Sequence, residues 1–157
     1  MVFFYRYAKH RRNVHIEYNR RGCAYIKGTI GGREYSTDST GLVLSYHNLS
    51  DSDIEQLRYL TNLTYLDLQG NQISDIRSLQ GLTNLTVLDL TSNQISDISA
   101  LSNLISLTYL DLRDNQITDF SVLDGLLNLS YLEISEPRPR LTGPSPPPQA
   151  SWTQPSG

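Results

Sequence analysis

Between residues 42 and 136 the apolar positions recur over a long period. Leu60, Leu82, Leu104 and Leu126 stand 22 residues apart. Aligned on that period, one unit reads Leu63-x-x-Leu66-x-Leu68-x-x-Asn71-x-Ile73-x-x-Ile76-x-x-Leu79. The same positions return as Leu85, Leu88, Leu90, Asn93, Ile95, Ile98, Leu101, and again as Leu107, Leu110, Leu112, Asn115, Ile117, Phe120, Leu123. A fourth unit keeps Leu129, Leu132 and Ile134, then meets Pro137 where asparagine is due. A degenerate first unit fits with two inserted residues, through Leu42, Leu44, His47, Leu49, Ile54, Leu57 and Leu60. Within each unit the Leu-x-Leu alternation predicts a short strand. Ser74 to Leu79 and its copies are too short for two helical turns and predict a 3₁₀ turn or an extended segment. Ser50-Asp51-Ser52-Asp53 ahead of Ile54, Leu57 and Leu60 predicts a short helix, with acids in its first turn. No single unit can bury its own leucines, so neighbours must stack. The predicted fold is an α/β right-handed solenoid, with a short parallel sheet on the concave side and 3₁₀ or extended convex segments.

Outside the periodic stretch the pattern changes. Val14 to Tyr18 alternates, and Ala24 to Ile30 leads through Gly31-Gly32 into Arg33 to Thr37, a hairpin signature. This reads as an amino-terminal cap over the first coil. From Pro137 onward proline, glycine and serine dominate, a composition too poor in apolar groups to order itself. The predicted organisation is a basic arm at 1–13, a β-hairpin cap at 14–41, a solenoid of about four repeats at 42–136 and a disordered Pro-rich tail at 137–157.

The repeated units resemble the leucine-rich-repeat family. The 22-residue form with Asn-Gln-Ile-Ser-Asp-Ile (71–76, 93–98) and Asn-Gln-Ile-Thr-Asp-Phe (115–120) is most similar to internalin-type bacterial surface proteins. The resemblance covers residues 42–136. It implies a noncatalytic module that binds a protein on its concave face, in a cell-surface adhesion or host-contact role.

Strand alternation assigns that face independently of any family. Tyr65, Val87, Tyr109 and Tyr131 form one column. Asp67, Asp89, Asp111 and Glu133 form a second, and Gln69, Thr91, Arg113 and Ser135 a third. At about 4.8 Å between strands the second column sets four carboxylates in a line, where a cation or basic partner would relieve their repulsion. Aspartate in this slot is also ordinary repeat chemistry, so the positions that differ between copies are the better recognition candidates. Asn71, Asn93 and Asn115 are read as a structural ladder whose amides satisfy turn backbone. Asp75, Asp97 and Asp119 are read as caps of the following turns rather than calcium ligands.

Charge divides the chain in a way its net −3 conceals. Residues 1–33 hold eight Lys/Arg and one acid, residues 34–136 three Arg and fifteen acids, and residues 137–157 two Arg. The solenoid is acidic and the arm basic. Arg6, Lys9, Arg11 and Arg12, with tyrosines among them, are read as a solvated arm; nucleic-acid binding is not expected. One cysteine, Cys23, excludes an intrachain disulfide. The even, open row of carboxylates offers neither two different environments nor a cleft, and His10, His15 and His47 lie outside the regular repeats. No catalytic residue, cofactor or metal is therefore expected. The expected partner is a protein or peptide, a basic one among the candidates, bound by a monomer. Without a legible signal sequence or an apolar run of about 18 residues, a cytoplasmic chain is expected, or a secreted or surface one if it is part of a longer protein. The alternative function is an intracellular regulatory or scaffold subunit that positions an enzyme, or a truncated repeat fragment.

Overall fold

A computed structural model describes residues 14–18, 24–30 and 33–135. The basic arm, Cys23, the Gly31-Gly32 turn and the Pro-rich tail lie outside the described residues. Among the described residues eight strands form two sheets. β1 (Val14–Tyr18), β2 (Ala24–Ile30) and β3 (Arg33–Ser36) make an antiparallel sheet in that order. Ile30 pairs with Arg33, so two residues join β2 to β3 as the glycine pair requires.

β4 (Gly41–Val43), β5 (Tyr65–Asp67), β6 (Val87–Asp89), β7 (Tyr109–Asp111) and β8 (Tyr131–Glu133) form a five-stranded parallel sheet in sequence order. Its register follows the repeat: Leu42, Leu66, Leu88, Leu110 and Leu132 pair in succession. Each strand returns through a turn on the opposite side. In the first coil this is helix α1 (Asp51–Ile54) running into a 3₁₀ segment at Glu55–Tyr59. The Asp53 carboxylate accepts from the Ser50 N–H at 2.8 Å and the Ser50 hydroxyl at 2.6 Å, fixing the helix start. The regular coils use 3₁₀ turns at Arg77–Leu79, Ser99–Asn103 and Ser121–Gly125.

The leucine positions make one continuous core. Leu63, Leu66, Leu68, Leu85, Leu88, Leu90, Leu107 and Leu110 are fully buried. Ile30 and Tyr35 from the antiparallel sheet belong to the same cluster, and the Tyr35 hydroxyl lies 3.4 Å from Gln56 Oε1. At the other end the packing thins: Leu132 is 42% exposed and Ile134 equally so, although each holds a position buried in earlier coils. No further coil stacks on β8 among the described residues.

Three polar ladders tie the coils together. Asn71 Oδ1 accepts from the Leu49 N–H (2.9 Å) and the His47 N–H (3.2 Å), while its amide donates to Leu44 O and Leu68 O. Asn93 and Asn115 repeat this on Ile73 and Ile95 N–H. Thr64, Thr86 and Thr108 donate their hydroxyls to the threonine carbonyl one coil back, and Asn62, Asn84 and Asn128 donate amides similarly. The residue before each ladder asparagine, or before His47, turns through positive φ: Tyr46 (58°), Gly70 (67°), Ser92 (55°) and Asp114 (54°). Recurrence at one repeat position marks it as coil geometry.

Candidate protein-binding face

Strand alternation places the predicted columns on the outer face of the parallel sheet. Tyr65 and Tyr131 are each 41% exposed, and Val87 and Tyr109 are half-buried. Tyr109 and Tyr131 stack, ring centroids 4.4 Å apart and planes within 1°. β4 extends the columns with Gly41 and an exposed Val43, paired with Tyr65 and Asp67. The sequence reading omitted these two, although their offset to the next coil was already legible.

The acidic column departs from the expected row of open carboxylates. Asp111 is fully buried. Its carboxylate is held by Arg113, two residues on and on the same face, through Nε at 3.0 Å and Nη2 at 2.6 Å. Burial pulls the Asp111 carboxyl up, but the Arg113 hydrogen bonds outweigh it and hold it below the ordinary aspartate value. Asp111 is thus satisfied internally and is not the open carboxylate expected of it, while the side chain of Arg113 remains 47% exposed. Asp67 and Asp89 are half-buried and unpaired with any cation among the described residues. Each uses Oδ1 to accept the backbone N–H two residues on, Gln69 at 3.0 Å and Thr91 at 2.9 Å, and Asp111 does the same with Arg113. The repeated aspartate therefore closes the strand exit, which accounts for its recurrence.

The remaining candidates differ in access. Thr91 is only 5% exposed, so its side chain is not the open recognition group the third column was expected to hold there. Gln69 is half-buried, and Ser135 accepts the Asp114 N–H at 2.6 Å. Glu133 accepts the Tyr131 hydroxyl at 2.9 Å, which with burial and the carboxylate charge pushes that phenol up to about 12. Asn71, Asn93 and Asn115 face the turns and leave no amide group free for a ligand. Asp75, Asp97 and Asp119 accept the N–H of Arg77, Ser99 and Ser121, as caps should.

The chemistry on this face is recognition chemistry: aromatic rings, carboxylates and one internally paired guanidinium. Among the described residues no group of three or more metal-ligating side chains converges, and no helix is long and apolar enough to cross a membrane.

The comparisons agree with this architecture. A model of paired leucine-rich repeats matches residues 61–103, and a single leucine-rich repeat matches 103–119. Internalin C2 of Listeria monocytogenes is 44% identical over 52% of this chain and 36% of its own, with a TM-score of 0.50. The internalin inlF of the same organism is 31% identical over 66% of this chain and 38% of its own, TM-score 0.51. A leucine-rich-repeat protein of Leptospira interrogans is 26% identical over 63% of this chain and 26% of its own, TM-score 0.59. The match spans less than two fifths of each neighbour's length. No curated protein sequence matches. The chain is a leucine-rich-repeat solenoid. Its 22-residue units are internalin-like, and together with these neighbours they support a protein-interaction module.

Proposed function

We propose that this chain is a noncatalytic binding module that docks a protein or peptide on the concave face of its sheet, in a cell-surface contact role. The observation that supports it is the row of exposed Tyr65 and Tyr131 and half-buried Tyr109 beside carboxylates, on a sheet face against which nothing packs among the described residues. Aromatic anchors ringed by polar groups dominate protein recognition energetics. The face includes Gln69, Val87 and Glu133, with the asparagine ladder holding its shape. The antiparallel sheet of β1 to β3 acts as the cap of the solenoid, whose parallel sheet begins with β4 at Gly41.

The test is capture of a partner by the full chain, followed by affinity measurement on Tyr109→Ala with Asp89→Ala. Loss of at least about tenfold is expected, since truncating one hot-spot side chain removes about 2 kcal/mol or more. Unchanged affinity with an intact fold refutes the concave-face reading.

A further inference from the structure

The tyrosine row is broken once. Tyr109 and Tyr131 stack on neighbouring strands, but Val87 stands between Tyr65 and Tyr109, leaving their rings two strands apart. Two strand spacings are about 9.6 Å, so a group midway lies about 5 Å from each ring, within the roughly 6 Å over which an aromatic face attracts a cation. The slot has a short aliphatic floor and two acidic neighbours, Asp67 and Asp89, whose Oδ2 atoms make no hydrogen bond among the described residues. Both carboxylates reach the Tyr65 hydroxyl electrostatically.

The same molecule shows what satisfies such a carboxylate. In the third regular coil the equivalent Asp111 receives a guanidinium from Arg113; in the first two regular coils that position is Gln69 and Thr91, which supply none. We propose that the slot between Tyr65 and Tyr109, over Val87, receives an arginine side chain of the protein partner, its guanidinium bonded to Asp67 and Asp89. A guanidinium fits better than an ammonium because it is planar, stacks on rings and bonds two carboxylate oxygens at once. This deepens the concave-face reading and rests on it.

The test uses the full chain and three acetylated peptides carrying four arginines, four lysines or four citrullines, followed by aromatic-ring NMR. The arginine peptide should shift Tyr65 and Tyr109, the lysine peptide should bind several-fold more weakly, and the uncharged citrulline peptide should not bind. Val87→Tyr, which fills the gap with the residue of the other coils, should cost about tenfold, as should Asp67→Asn with Asp89→Asn. Shifts on the sheet face that ignore both variants overturn the slot and leave the concave-face reading standing. Shifts confined to the 3₁₀ side overturn both. A full-length variant with Arg6, Lys9, Arg11 and Arg12 changed to Gln separates the other source of guanidinium. If that change alone moves the Tyr65 and Tyr109 signals, the occupant is the chain's own arm and the partner assignment fails; unmoved signals with retained peptide binding support it.

Discussion

Removing the ladder asparagines one at a time should produce a graded loss of stability whose order follows from the bonds each leaves behind. Asn71→Ala strands the buried Leu49 N–H and the Leu44 carbonyl, neither of which has another partner, while Leu68 O keeps its bond from Asn93. A buried group left unpaired costs about 1–3 kcal/mol, so two give about 4 kcal/mol. Asn93→Ala strands only the Ile73 N–H, because Leu68 O and Leu90 O keep bonds from Asn71 and Asn115, and should cost about 2 kcal/mol. Asn115→Ala strands the Ile95 N–H and also the Leu112 carbonyl, which no later asparagine reaches, but at a half-exposed site, and should cost about 2 kcal/mol. Urea unfolding of the full-length variants followed by far-ultraviolet circular dichroism resolves these differences from midpoint and slope. Against a total of about 5–15 kcal/mol the first loss is large. Equal losses at all three sites, or a cost for Asn71→Ala below about 1 kcal/mol, would refute the reasoning from orphaned groups.

Other expectations follow from single contacts. Gly70→Ala places a Cβ against the Tyr46 ring at a positive φ and should cost about 2 kcal/mol; in a Tyr46→Ala background the penalty should shrink, and equal urea midpoints shifts in both backgrounds would exonerate the ring. Asp51 is pulled up by burial but lowered further by hydrogen bonds from Asp75 and Ser74, so its folded-state carboxyl, like that of Asp111, titrates below the ordinary 3.8. Depressed carboxyls contribute stability that is complete above about pH 4 and lost as pH falls through the lowered values. Melting temperature should therefore drop on acidification, and less steeply in Asp111→Asn, which is already destabilised at neutral pH. Alkaline ultraviolet titration should show Tyr131 ionising late, at about 12, and Glu133→Gln should return it toward 10.0.

Much of the fold was legible because periodicity is a property of the sequence itself. The 22-residue recurrence of leucine already assigned strand, turn and core to the coils, and the two-residue insertion before Ile54 marked the coil that, among the described residues, carries a helix. The Thr64 ladder was equally periodic, and the Asn62 ladder nearly so with Ser106 interrupting it, but both were hidden, since hydrophilic residues recurring on a surface look like solvated positions until their carbonyl partners are seen. The surface was less legible. Alternation placed each column on the right face, yet it could not tell that Asp111 is buried under Arg113 while Asp67 and Asp89 are not. That distinction is set by the residue two positions on, a short-range contact that no periodic template contains.

Residues that recur in every coil are largely committed to the coil: leucines to the core, asparagines to turn carbonyls, aspartates to the strand exit. What remains available for recognition is what these bonds leave over, and the amount differs from coil to coil. In the third regular coil Arg113 takes up both oxygens of Asp111, so that coil presents an aromatic stack and little unsatisfied charge. In the second, a threonine in place of arginine and a valine in place of tyrosine leave one carboxylate oxygen and one ring-wide gap. Two ordinary substitutions in an otherwise repeated unit thus distinguish a closed coil from a receptive one. A scaffold built by repetition acquires specificity at its exceptions, so Val87, Gln69 and Thr91 mark the receptive part of this face better than the tyrosines and aspartates that recur around them.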